Sequence, residues 1–157
     1  SDVVGGAVIA ASSELAGKLA WWANCLGITG SAFDSFLTLR GLRTLHARLA
    51  LHGGNAQQLA EWAMGQRGIA RVLYPGLPSH PGHDVAKRQQ SGFGAIVTIE
   101  LAGGAGAVQR FVEGLELFSL AESLGGVESL VAHPASMTHA AMEPPARAAA
   151  GLVAGLL

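Results

Sequence analysis

The chain has 157 residues, enough for one domain with a sizeable core, and a formal net charge of −1 without basic clusters, which argues against a nucleic-acid partner. Apolar residues make up 50%, charged residues 13%, and the mean hydropathy is +0.36, so the composition implies surface meant to be covered by further chain or by partner subunits. Gly, Ser or a charge breaks every apolar run short of a membrane span, and the single cysteine, Cys25, excludes an internal disulfide and fits a reducing cytoplasm.

In chain order, Ser1-Asp2 reads as loop rather than as a secretory signal, which keeps the expected location cytoplasmic. Val3–Ala10 is a short run rich in β-branched residues and is expected to be a buried strand bent at Gly5-Gly6. Ser12 or Ser13 caps a helix helped by Glu14, and Leu15, Leu19, Trp22 and Leu26 mark one face up to a stop at Gly27. Asn24 lies near the end of that helix, where an ordinary polar residue is as good a reading as a functional one. Cys25, flanked by Asn24 and Leu26, is expected to pack. After a loop from Gly27 to Ser31, a helical pattern resumes at Phe33, is punctuated at Gly41, and continues through Leu42, Leu45 and Leu49 towards Ala63. Gly53-Gly54 costs such a helix about 1 kcal/mol per glycine and is expected to mark a hinge or unit boundary. Arg40, Arg43 and Arg48 lack a Gly-rich cradle and read as a solvated or ion-paired face.

Beyond Gly68 the period changes. Ala70–Tyr74 is a strand stopped by Pro75-Gly76-Leu77-Pro78, and His80 and His83 lack the further ligands that a zinc site requires. Asp84–Gln90 reads as a short polar helix, Gly94–Leu101 as an alternating half-buried strand, and Val108, Phe111, Val112 and Leu115 as a helix face. Short apolar runs at Leu117–Leu120 and Leu130–Ala132 flank Glu122, Ser123, Gly125 and Gly126, and a last helix starts at Pro144-Pro145. The order β-α-β-α-β-β-α implies a layered α+β unit with helices on one face of a mostly antiparallel sheet. On composition alone, residues 121–129 are a Gly-Gly loop between strands. The same loop unites a carboxylate, a hydroxyl and free amide N–H groups, which is what an amino-acid pocket needs.

Ala121-Glu-Ser-Leu-Gly-Gly-Val-Glu-Ser-Leu130 followed by His133-Pro-Ala-Ser-Met-Thr-His-Ala140 resembles the C-terminal signature of the Cys/Met-metabolism enzymes that use pyridoxal phosphate, and within them the bacterial cystathionine γ-synthases. Asp2-Val-Val-Gly-Gly6, Trp21-Trp-Ala-Asn24, the stretch from Ala32 to Leu45 and Arg88-Gln-Gln-Ser-Gly-Phe-Gly94 extend the likeness over the whole chain. The resemblance implies the C-terminal part of a fold-type-I transferase, mixed α/β and α+β, with residues 1–53 ending the cofactor-binding large domain and 54–157 forming most of the C-terminal domain. It implies γ-replacement of O-succinylhomoserine by cysteine, giving cystathionine and succinate in transsulfuration towards methionine. Cystathionine γ-lyase is the alternative within the family, and a non-catalytic oligomerisation or substrate-lobe module the alternative outside it. His133-Pro134 favours the synthase.

By the same resemblance, Glu122 engages the amino group of a zwitterionic substrate, Ser123 helps bind its carboxylate, and Asn24 lines the pocket. Asp34 and Arg40 match structural positions. Neither Lys18 nor Lys87 has the Ser/Thr-Lys context that the family uses, and the resemblance implies a cofactor lysine upstream of Ser1 and a carboxylate-binding arginine beyond Leu157. No catalytic, cofactor-binding or metal residue is therefore expected within the chain, which alone would be inactive. The parent would be a homotetramer, a dimer of dimers. Gly53-Gly54 and Pro145 depart mildly from the family pattern.

Overall fold

A computed structural model describes residues 3–157, so Ser1 and Asp2, with the start of the Asp2-Val-Val-Gly-Gly6 match, lie outside the described residues. The chain divides into two compact units, the first ending at His46 and the second running from Ala47 to Leu157.

In the first unit the helical expectations hold. Helix α1 spans Ser13–Leu26; the Ser12 hydroxyl accepts the Leu15 N–H at 3.2 Å, and Gly27 closes the helix in the left-handed region at φ 66°. Glu14 in the first turn pairs with Lys18 at 2.6 Å. Helix α2, Ala32–Arg43, is capped by Ser31, whose hydroxyl accepts from the Asp34 N–H at 3.0 Å. Neither helix has a buried residue, and the apolar face of α1 stays open, with Trp22 55% exposed.

Three local expectations are corrected here. Val3–Ala10 is not a buried strand: it pairs with no strand among the described residues, and Ile9 is 96% exposed. β-branched residues favour a strand only where a partner takes their N–H and C=O groups, and no strand lies among the described residues of this unit. Cys25 is exposed rather than packed. The break between helices falls at Thr44, not Gly41, which sits inside α2. There the Thr44 N–H reaches the Gly41 carbonyl at 3.3 Å, tightening the last turn into a stop.

Helix α3, Leu45–Met64, runs unbroken through Gly53-Gly54. Its propensity cost is offset by packing, for Ala56, Ala60 and Ala63 are buried along one side. Ala56 and Ala60 join Tyr74 and Leu77 in one core cluster, edged by Val72, Phe93 and Val97. The Tyr74 hydroxyl, at the centre, donates to the Gly94 carbonyl at 3.0 Å. Burial raises the Tyr74 pKa above its ordinary value.

Strand β1, Ile69–Leu73, pairs antiparallel with β2, Thr98–Leu101, with Val72 opposite Ile99 and a bulge between Ile69 and Arg71. Helix α4, His83–Gln89, lies between them in sequence. β2 is shorter than the alternation from Gly94 implied, because β1 ends ahead of Pro75 and leaves Gly94–Val97 nothing to pair with. On β2 the segment 155–157 adds an unforeseen edge: Leu101 N–H donates to the Gly155 carbonyl at 2.8 Å, and Ile99 and Leu157 exchange both their bonds at 2.9 and 2.8 Å.

Helix α5, Gly104–Glu113, lays Val108 over Leu101 and Leu157, with Ile69, Ile99, Val112 and Val131 around them. Strands β3, Ser119–Leu120, and β4, Leu130–Val131, form a separate parallel pair, and α6 spans Pro144–Ala149. The element order is the one anticipated. The single, mostly antiparallel sheet is not: two short sheets replace it, since a two-residue strand has too few ladder bonds to extend either one.

Candidate substrate loop

Loop 121–129 hangs between β3 and β4. Its two ends are held by Ser119 N–H to the Ser129 carbonyl and Ala121 N–H to the Val131 carbonyl, each 3.0 Å. Gly125 turns the chain at φ 86°, a conformation that side-chain-bearing residues rarely adopt. Glu122 is exposed and Ser123, its neighbour, half-buried, while Leu124 and Val127 project at 74% and 77% exposure. The chain order thus keeps a carboxylate and a hydroxyl adjacent in one loop, with apolar groups beside them. Chemically, the carboxylate suits an ammonium group, and the hydroxyl with loop N–H groups suits a carboxylate.

Asn24 sits on the last turn of α1 in the other unit, exposed, with its carbonyl accepting the Gly27 N–H at 3.4 Å. Arg40 and Arg43 occupy the exposed last turn of α2, where cations complement the helix dipole. His80 and His83 have local partners: the Gly82 N–H reaches His80 Nδ1 at 3.0 Å, and His83 Nδ1 meets the Pro75 carbonyl at 2.7 Å while its ring stacks on Phe93. Among the described residues no group of three His, Cys, Asp or Glu side chains is placed to hold a metal ion, and no helix is long and apolar enough to cross a membrane.

Sequence reasoning missed a cluster behind the loop. His133, two residues past β4, contacts the Ser136 hydroxyl through Nδ1 at 2.7 Å and the Ala154 carbonyl through Nε2 at 3.3 Å. Its backbone N–H points at the Met137 sulfur, 3.3 Å away. An open groove of about 330 Å³ lies here, lined by Val108, Val112, Leu120, His133, Ser136 and Met137. The readable signal was a histidine ending a strand with a hydroxyl three residues on; its partner at Ala154 had none.

The Cys/Met metabolism PLP-dependent enzyme family matches residues 1–157, the whole chain. The chain belongs to that family. It is 54% identical to cystathionine γ-synthase of Escherichia coli (strain K12) over 157 residues, all of this chain and 41% of that protein. It is also 45% identical to a cystathionine β-lyase of Coxiella burnetii, again over all of this chain and 41% of the relative. The crystal structure of cystathionine γ-synthase from Xanthomonas oryzae pv. oryzae, in complex with aminoacrylate and cysteine, superposes with a TM-score of 0.89 at 61% identity; it covers 94% of this chain and 38% of that one. The chain therefore spans about two fifths of the length of the curated relatives it matches. Its fold is that of the corresponding part of the fold-type-I PLP-dependent enzymes, as the motifs implied.

The family's cofactor is pyridoxal phosphate, which needs a lysine held in a pocket. Lys18 lies on the open surface of α1, its side chain 67% exposed and paired with Glu14, and Lys87 is exposed on α4. Neither lysine is held in a pocket.

Proposed function

We propose that the chain is the C-terminal, substrate-facing part of a cystathionine γ-synthase, the pyridoxal-phosphate-dependent transferase that replaces the succinyl group of O-succinylhomoserine by cysteine in methionine biosynthesis. The observation that carries this reading is the 121–129 loop, in which Glu122 and Ser123 are neighbours ahead of a glycine turn, in a chain 54% identical to the Escherichia coli synthase over its whole length. Pyridoxal phosphate supplies the electron sink for γ-replacement when bound to the complete enzyme. This chain's own contributions are on the substrate side. The Glu122 carboxylate receives the substrate ammonium, and Ser123 and the loop N–H groups hold the α-carboxylate; Asn24, in the segment 1–53 that ends the large domain, is assigned to substrate binding on its own. Residues 54–157 make up most of the C-terminal domain.

The exposed apolar faces of α1 and α2 support burial against other chain in the assembled enzyme, a cytoplasmic homotetramer built as a dimer of dimers. The test is a graft: residues 1–157 replace the matching segment of the Escherichia coli synthase. The graft is expected to form cystathionine from O-succinylhomoserine and cysteine. Cleavage of cystathionine without any replacement activity would overturn the synthase reading in favour of a lyase.

A further inference from the structure

We infer that His133 is a positioning residue that latches the Glu122–Ser123 loop to the β1–β2 sheet. The claim that the latch serves substrate binding rests on the reading of that loop given above.

Strands β3 and β4 are two residues long, and Leu120 on β3 is 50% exposed, so the pair alone is too short to hold a loop in one place. Further support comes from beyond β4. There, Val131 packs into the Leu101–Val108–Leu157 cluster, and His133 reaches the carbonyl of Ala154. Ala154 leads directly into 155–157, which is hydrogen-bonded along β2. A carbonyl only accepts, so His133 must carry its proton on Nε2, and in the neutral ring Nδ1 then accepts from the Ser136 hydroxyl. The Ser136 bond fixes the ring, and the ring fixes the distance from β4 to the edge of the sheet. Turn bonds from Ser136 and Met137 N–H to the His133 carbonyl, at 3.2 and 3.0 Å, keep the backbone of the latch in place.

Hydrogen–deuterium exchange at the Ser119 and Ala121 amides of the chain tests this, in His133→Gln and His133→Asn. Gln sets an amide N–H about where Nε2 stands; Asn keeps a polar atom near Nδ1 but falls short of Ala154. Exchange is expected to quicken roughly threefold to tenfold in Asn, the range for one net hydrogen bond, and to stay within about twofold of the unsubstituted chain in Gln. The Val72 amide in β1 should be unmoved in both. Equal quickening in the two variants, or none in either, overturns the latch, and quickening at Val72 as well would mark a general loss of stability instead. In the graft, Asn should raise KM for O-succinylhomoserine about threefold to tenfold at unchanged kcat, with Gln restoring it. An exchange response without a KM response would uphold the latch and overturn its service to substrate binding, while the loop's role as the pocket is decided separately by Glu122→Gln.

Discussion

Replacing Gly155 by alanine probes the edge segment on which the loop's support depends. A Cβ at Gly155 would stand 2.5 Å from the Leu101 carbonyl oxygen, a backbone atom of β2 that no rotamer change can move. The protein has two responses. Detaching 155–157 gives up three ladder bonds at about 0.5–1.5 kcal/mol each and the burial of Leu156 and Leu157 at about 1.5–3 kcal/mol each. Keeping the segment and shifting the backbone costs the usual overpacking penalty, about 1–3 kcal/mol. The second is cheaper, so Gly155→Ala should lower the stability by about 1–3 kcal/mol with the segment still paired. Gly54→Ala is the control of opposite sign: nothing lies within 4 Å of a Cβ there, and inside a helix it should gain about 0.5–1 kcal/mol. Urea unfolding followed by tryptophan fluorescence reads both as shifts in midpoint at constant slope. A change under about 0.5 kcal/mol in Gly155→Ala would refute the close approach.

Tyr74 makes stability fall at alkaline pH. Its folded pKa is raised, so the unfolded chain ionises first; the contribution is intact below about pH 10 and is lost as pH climbs past it, with a slope of up to about 1.4 kcal/mol per pH unit. Tyr74→Phe should be less stable at neutral pH, having lost the bond to Gly94, yet show a flatter alkaline decline; an identical decline would contradict the assignment. Because α1 and α2 bury no residue, the isolated chain should self-associate at micromolar concentration, and a monodisperse monomer in sedimentation velocity would count against covered apolar faces.

Local signals in the sequence translated well where the cause is local. Ser12 and Gly27 bound α1 because a hydroxyl and a left-handed glycine satisfy helix ends within a few residues. What escaped depends on partners distant in sequence. Val3–Ala10 has strand composition but no strand to pair with, and Leu156-Leu157 became the edge of β2 through Ile99, far earlier in the chain. The helix continues through Gly53-Gly54 although propensity counts the glycines against it, because the Ala56–Ala60 packing outweighs them. The turn in loop 121–129 was legible from its Gly-Gly pair, whereas roles for Glu122 and Ser123 came only from the family resemblance. The loop's latch was not legible, since a hydrogen bond from His133 to a backbone carbonyl leaves no mark on residue type.

Substituting Glu122 in the graft tests the central claim most directly. Glu122→Gln keeps the shape and removes the charge that meets the substrate ammonium, a charge-assisted bond worth about 1.5–3 kcal/mol. kcat/KM for O-succinylhomoserine should fall roughly tenfold to a hundredfold, and less in Ser123→Ala, where the loop N–H groups still hold the carboxylate. A kcat/KM unchanged within about twofold in Glu122→Gln, as an ordinary loop carboxylate would give, contradicts the substrate-pocket assignment.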